Sequence, residues 1–425
     1  MPFGLLLYKS MTTLIAPFLG AFFRRRAKSG KEDAARIPER LAQQLPDRPG
    51  GTLIWLHAAS FGESQILLEL ARRIITRETG TASFLFTCQT QTGARLVQDA
   101  IASDEILSTR TCLQQMAPAD TPGIARRFLD HWQPAVAIFA EGEVWPNLTL
   151  ELDVRDVPTA LINARMTEQS ILGWMRWQKT AREVFSSFDL MVAADTQTKT
   201  GLTELSTKTV ICPGNLKSAL PAPSVDVDEL ENLKQAIGHK TVLLAASTHT
   251  GEEASVVDAW MKMNPRPFLI IAPRHPERGD DVDTLLSMTK AAVSRRSEND
   301  PLTTATDILL ADTMGEMGLW YRLCNTVYLG GGHAPGVGGH NPLEALRLGK
   351  PVLTGPSSFN FRDLSQRLLP FQGFSIVHDV DELVAAFPAL PVSAEMTMTL
   401  KADSLGPMSR TLSALEPILN RVDIT

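Results

Sequence analysis

Residues 52–73 read TLIWLHAASFGESQILLELARR. Thr52–Leu56 is a short apolar run that stops at His57, and Ser64–Arg73 carries its apolar residues at helical spacing. Between them Gly62 permits a tight turn, Ser60 is suited to cap the helix, and Glu63 falls in the helix's first turn. That is a strand–turn–helix joint. The same alternation continues outward: Ser83–Cys88 (SFLFTC) precedes a helical pattern at Thr92–Ala102, Ala135–Ala140 (AVAIFA) ends at Glu141, and Thr159–Ile162 ends at Asn163. Leu190–Ala194 and Thr209–Ile211 complete the set. Short apolar runs alternating with helices predict βαβ units, and hence an α/β fold whose parallel sheet is covered by helices on both faces.

After Leu220 the pattern breaks. Leu220–Pro223 and Ser224–Glu231 contain proline and acid, as expected of a linker over residues 220–235. It restarts with Thr241–Ala246, Phe268–Ala272, Asp307–Leu310, Thr326–Leu329 and Pro351–Thr354. The chain therefore divides into a first Rossmann-like domain at 32–219 and a second at 236–407. Polar motifs at the carboxyl ends of the strands predict a cleft between the two. Met408–Val422 reads as a helix within a final segment, 408–425.

The length of 425 residues supports two cores of this size, and 44% hydrophobic with 21% charged residues excludes a disordered or fibrous chain. A net charge of −6 argues against a general nucleic-acid binder. Cys88, Cys112, Cys212 and Cys324 are far apart with no CxxC pair, which excludes a disulfide framework and a structural zinc site. His249, His275, His333 and His340 lie near strand ends without ligand spacing, so no metal is expected.

Residues 1–31 stand apart. Met1–Phe23 is an apolar stretch interrupted by Lys9, Ser10 and Pro17, and Arg24, Arg25, Arg26, Lys28 and Lys31 follow it. A secretory signal places its positive charges before the apolar core, not after. Basic residues on the carboxyl side predict an anchor whose following chain stays cytoplasmic, whether the anchor spans the bilayer or lies in its interface.

Each strand end carries a motif open to more than one reading. Ser60-x-x-Glu63 is a legitimate capping box, yet a carboxylate at that joint is also placed to accept a proton from a hydroxyl. Glu141-Gly142-Glu143-Val144-Trp145-Pro146-Asn147 puts carboxylates beside a rigid Trp-Pro turn, or simply starts a helix with Pro146 in its first turn. Asn163-Ala164-Arg165 and Gly214-Asn215-Leu216-Lys217 bring cations to the same rim. In the second half, Thr250-x-x-Glu253 predicts another capping box at a helix start suited to anions, and Pro273-Arg274-His275-Pro276-Glu277-Arg278 offers a planar cation for phosphate. Six glycines between Gly330 and Gly339 free backbone amides ahead of a helix expected near Asn341, with Glu344 one turn in and suited to a ribose diol. This is neither a GxGxxG fingerprint nor a Walker loop.

Taken in order, HAASFGE, EGEVWPN, NAR, GNLK, STHTGEE, APRHPER, DTMGEM and GGHNPLEA resemble the Kdo transferase family, glycosyltransferases of the GT-B fold. The resemblance runs from the anchor to about Asp363. It implies an inverting enzyme that moves 3-deoxy-D-manno-octulosonic acid (Kdo) from CMP-Kdo to a lipid A precursor at the cytoplasmic side of the inner membrane. It further implies Glu63 as general base, and Glu141 and Lys217 as support for the transition state. By the same match Pro273 and Arg274, Met314, Gly315 and Glu316, and Asn341, Pro342, Leu343 and Glu344 bind CMP, with no cofactor beyond the donor. The sequence departs from the family's common pattern at Gly142, where Thr is usual, at Ser218, where Phe is usual, and at Gly331-Gly332-His333, where the turn is Gly-Gly-Ser. These departures leave the charged positions intact. A soluble nucleotide-sugar epimerase and a membrane-bound nucleotide sensor without catalysis are the rival readings. The first needs no lipid acceptor and the second needs no Glu63.

Overall fold

Every residue of Leu53–Ala58 (β1) is buried, and successive side chains face opposite layers. Ile54 and Leu56 join one apolar cluster with Phe84 and Phe86, while Trp55 joins another with Phe128 and Phe139. Trp55 packs its ring 4.9 Å from that of Phe128 and 5.1 Å from that of Phe139. A strand buried on both faces has no polar side to expose, which is why it reads as a continuous apolar run. Each such Leu, Ile or Phe contributes about 1.5–3 kcal/mol on burial.

The computed structural model describes residues 1–77, 80–142, 144–220 and 225–422, so Glu143 and the Pro221–Ser224 part of the expected linker lie outside the described residues. The chain forms two compact units, one from residues 1–220 with 403–425 and the other from residues 221–402. In the first, β1 is followed by Ser83–Cys88 (β2), Cys112–Met116 (β3), Val136–Ala140 (β4), Thr159–Ala164 (β5), Leu190–Ala193 (β6) and Val210–Ile211 (β7). They pair in the order β3-β2-β1-β4-β5-β6-β7, all parallel. The second unit contains Val242–Thr248 (β8), Phe268–Pro273 (β9), Val293–Arg295 (β10), Ile308–Leu310 (β11), Thr326–Leu329 (β12), Val352–Thr354 (β13) and Phe374–Ile376 (β14). Their order is β10-β11-β9-β8-β12-β13-β14, again parallel. This is the expected α/β architecture of two parallel, helix-covered sheets. In each sheet the chain builds to one side and then crosses to the other, the two sides meeting at β1 and β4 and at β8 and β12, where the crevice at the strands' carboxyl ends favours ligands; in the second sheet β11 inserts between β10 and β9.

Three expectations are corrected. Residues 225–235 are not simply a linker: Val227–Ile237 is a helix capped by Asp226, because Leu230, Leu233 and Ile237 form a helical stripe buried in the second core. His57 lies inside β1, fully buried, rather than past its end. The last helix is Ala394–Leu419 instead of starting at Met408, and it carries Pro407 and Pro417 within it. Its Met396 and Leu400 belong to the core of the second unit, and Met408, Leu412, Leu415, Ile418 and Leu419 to that of the first.

The amino end forms the helices Phe3–Ile15 and Leu19–Lys28, joined by a tight turn at Ala16–Phe18 that contains Pro17. By length and composition Phe3–Lys28 is apolar enough to cross a membrane. One side is docked on the first unit. Leu5 is buried with Leu150 and Val184, the Tyr8 hydroxyl donates to Oδ2 of Asp120 at 2.8 Å, and Nδ2 of Asn147 donates to Oγ1 of Thr12 at 3.2 Å. Asp120 in turn accepts from the amides of Asn147 and Leu148, capping the helix Pro146–Val154 from a distant loop. Leu7, Met11, Leu14, Phe18 and Phe22, on the other side, are exposed.

Candidate active site

In the first unit the polar groups gather where β1 and β4 part. Glu63, 7% exposed, stands in the first turn of Phe61–Arg77; its Oε2 accepts from the Ala59 amide at 2.7 Å and its Oε1 from the Ser60 hydroxyl at 2.8 Å. The Glu63 amide faces the Ser60 hydroxyl at 3.4 Å, one half of the capping box read from the sequence, while the carboxylate reaches back one residue further, to the Ala59 amide. These bonds fix the carboxylate's direction.

Glu141, at the end of β4, has φ 55°, a left-handed conformation that costs a non-glycine residue about 1–2 kcal/mol. The surroundings hold it there. Its amide donates to the Ile162 carbonyl at 2.9 Å, and its Oε1 accepts from Nδ2 of Asn163 at 3.2 Å. Nζ of Lys217 completes the group, 2.6 Å from the same oxygen. Asn163 is itself left-handed at φ 51°, and its Oδ1 accepts from the Leu216 amide at 2.7 Å, tying the loop after β7 to the end of β5. The loop is further shaped by Asn215, whose Oδ1 accepts from the Lys217 amide at 3.0 Å. A Cβ on Gly62 would stand 3.3 Å from Cε of Lys217, so the glycine beside Glu63 lets the lysine pass. Glu63, Glu141 and Lys217 are thus set around one strand crossing, with Asn163 as the hub that sequence reading took for a mere neighbour of Arg165. Strand-end position gave a signal for the charged residues; the left-handed backbone of Asn163 gave none.

In the second unit four adjacent strand ends carry the expected motifs. After β8, Glu252 is 2% exposed and accepts from the amides of His249, Gly331 and His333 at 2.9, 2.8 and 3.0 Å. One buried carboxylate therefore ties the glycine-rich loop after β12 to the end of β8. Gly331, Gly336, Gly338 and Gly339 all take positive φ there, which explains the glycines. The expected Thr250–Glu253 capping box does not form: Gly251 is the helix N-cap without a side-chain bond, because Glu253 turns away to pair with Arg278 at 2.7 Å.

Arg274, after β9, is exposed, and among the described residues its guanidinium has no acidic partner. His249 and His340 meet beside it, Nε2 to Nε2 at 2.8 Å, so one ring donates and the other accepts. Burial, with His249, Arg274 and His275 adding to it, pushes His340 down to about 4, and burial lowers His249 as well.

The remaining expected CMP ligands differ in what they present. Pro273, Pro342 and Leu343 are buried, which leaves their backbone alone to meet a ligand. Met314 is exposed beside Gly315, whose φ is 87°. The Glu316 carboxylate is taken up by Arg296 at 2.7 Å and by the Thr313 hydroxyl. Oδ1 of Asn341 accepts from the Leu343 amide at 3.2 Å, and the helix expected near Asn341 starts at Leu343. Glu344 follows, half-buried in the first turn. Among the described residues no group of three or more His, Cys, Asp or Glu is placed to hold a metal ion.

Residues 35–220 match the family described as 3-deoxy-D-manno-octulosonic-acid transferase (kdotransferase). A protein of Arabidopsis thaliana named a probable mitochondrial 3-deoxy-D-manno-octulosonic acid transferase is 30% identical over 360 residues, covering 82% of this chain and 79% of its own. The chain belongs to the Kdo transferase family. The Kdo transferase of Haemophilus influenzae is 29% identical over 432 residues, 97% of this chain and 98% of that one. Among solved structures, a glycosyltransferase from Rickettsia africae shares the fold at a TM-score of 0.54 and 12% identity, over 87% of this chain and 99% of that one. As a Kdo transferase the chain is a glycosyltransferase of the GT-B fold.

Proposed function

We propose that this Kdo transferase moves Kdo from CMP-Kdo to a hydroxyl of a lipid A precursor, with inversion, at the cytoplasmic face of the inner membrane. The observation that carries this reading is the cluster of Glu63, Glu141 and Lys217 at the β1/β4 crossing, in a chain of that family. Glu63 accepts the proton of the attacking hydroxyl, because an alcohol is a poor nucleophile and positioned base catalysis contributes about 10²–10⁴-fold. One displacement at the anomeric carbon inverts it as the bond to the cytidylate phosphate breaks. CMP departs as a phosphate monoester, and the positive charge of the sugar's oxocarbenium-like state is matched by fixed carboxylate. Lys217 holds Glu141 in place.

In the second unit, Arg274 supplies charge to the donor phosphate, the glycine-loop amides add to it, and Glu344 takes the ribose diol. No cofactor beyond the donor enters this scheme.

The amino-terminal helices support membrane contact through their exposed face. With Tyr8 and Thr12 bonded to the body of the first unit, a crossing helix would drag Asp120 and Asn147 towards hydrocarbon. The helices lie in the interface. Incubation with freshly generated CMP-Kdo and a lipid A precursor, read by mass spectrometry, tests the function: a product heavier by whole Kdo units is expected. An epimerised nucleotide sugar, or CMP binding without any lipid product, would overturn it.

A further inference from the structure

A cavity of about 580 Å³ opens along the flank of the amino-terminal helices, away from the strand-end motifs. Its apolar lining includes Ala16, Leu41 and Ile124, and its cations are Arg24, Arg126 and Arg127; among the described residues no acid lines it. All three arginines are exposed. Arg127 gives one Nη2 bond to the Leu41 carbonyl at 2.9 Å, and Arg126 gives its Nε to the Pro122 carbonyl at 3.1 Å, with Glu151 no nearer than 3.9 Å. Each guanidinium has five N–H donors, so most remain for a ligand. Arg24 has no acidic partner among the described residues and folds back over Gly20, where a Cβ would stand 3.5 Å from its Nη1.

The helix pattern says what reaches this cavity. Thr13, Pro17, Gly20 and Arg24 recur at helical spacing and line it. Leu7, Met11, Leu14, Phe18 and Phe22 recur on the adjoining face, exposed. With that apolar face sunk into the acyl boundary, the flank beside it lies at the level of the lipid phosphates. Three guanidinium groups over an apolar floor, of which only Arg126 has an acid within 4 Å among the described residues, fit a phosphate attached to acyl chains better than a hydrated free anion.

We propose that this cavity seats the phosphate of a membrane lipid headgroup between Arg24, Arg126 and Arg127. The proposal rests on the interfacial reading of the amino-terminal helices. It adds a lipid site that sets the depth and rotation of the first unit on the bilayer.

Flotation of the full chain tests it, on vesicles of digalactosyldiacylglycerol, a neutral lipid without phosphate, made equally anionic with either phosphatidylglycerol or oleate. The intact chain should favour the phosphatidylglycerol vesicles by about tenfold, the scale of one or two cationic contacts near an anionic surface. R126Q/R127Q should erase that preference. Gly20→Gln, which fills the cavity and removes no charge, should erase it too, and Lys199→Ala/Lys208→Ala, which removes equal charge elsewhere, should keep it. Circular dichroism melting confirms that each variant is folded. No flotation on either vesicle overturns the interfacial reading and this site together; equal flotation on both overturns the site alone. Loss of preference in the Lys199/Lys208 control, or its retention in both cavity variants, also overturns the site. Calorimetric binding of inorganic phosphate without any vesicle preference would reassign the cavity to the free ion.

Discussion

Nζ of Lys217 lies 2.6 Å from Oε1 of Glu141 and runs alongside Gly62, the residue before Glu63. A single lysine therefore reaches from the loop after β7 to both strand ends that carry the proposed chemistry. The side chains of the pair are 22% and 14% exposed, so the ion pair is partly shielded without being cut off from water. Such a pair both fixes a carboxylate and depends on it.

Replacing Lys217 by Met should expose that dependence. Glu141 would keep its Asn163 contact but lose the cation, at a cost of about 1.5–3 kcal/mol, seen as a lower melting temperature. Adding Glu141→Gln should restore most of the stability without restoring transfer. A double variant that recovers both would reduce the pair to a structural role.

Glu63→Gln separates chemistry from capping. Glutamine keeps one carbonyl oxygen for the Ala59 amide or the Ser60 hydroxyl, so stability should fall by only about 0.5–1.5 kcal/mol. Single-turnover transfer per folded molecule should drop about 10²-fold or more, because an amide cannot take the hydroxyl proton. Near-normal transfer by the folded variant would end the assignment of Glu63 as base.

Stability should depend on pH through His340. The unfolded chain protonates this imidazole near 6.5, whereas the folded chain does so near 4, with His249, Arg274 and His275 facing it. Between those values the unfolded state binds the extra proton, so stability falls as pH decreases from about 6.5 towards about 4 and the contribution levels off below. Melting curves of the intact chain and of His340→Gln should show a shallower slope in the variant over that window. An equally steep slope would assign the dependence to other groups.

The exposed and docked sides of the amino-terminal helices should respond differently. Leu14 and Phe18 are 73% and 70% exposed, so Leu14→Glu/Phe18→Glu should release the protein from vesicles with little change in melting temperature. Deleting residues 1–23 should release it as well, but at a cost of about 1–3 kcal/mol for each buried polar group stripped of its partner, Asp120 and Asn147 foremost. An unchanged melting temperature after deletion would mean that the docked contacts do not hold in solution.

The central strands were legible because both of their faces are covered. Ser83–Cys88 and Thr326–Leu329 coincide with apolar runs from end to end. The strands β3, β10 and β14 were not, since CLQQM, VSR and FSI at or near the sheet margins lack a continuous apolar run. The last helix reads in the sequence as Met408–Val422, yet Ala394–Leu419 starts well before it and runs through Pro407. In the site, strand-end position pointed to Glu63, Glu141 and Lys217. The work of Glu252 was hidden because two of its partners lie 79 and 81 residues further along, and local pattern carries no information at that range.

The last helix has a consequence for how the chain assembles during synthesis. The first unit takes Met408, Leu412, Leu415, Ile418 and Leu419 into its core from the very end of the sequence. The second unit is contiguous and has all its buried residues once Leu400 has emerged. A nascent chain of residues 1–220 therefore carries an unfilled apolar surface while the entire second unit is translated. The half made first is the half finished last, and a stop codon shortly before Met408 would strand it beside a completed neighbour.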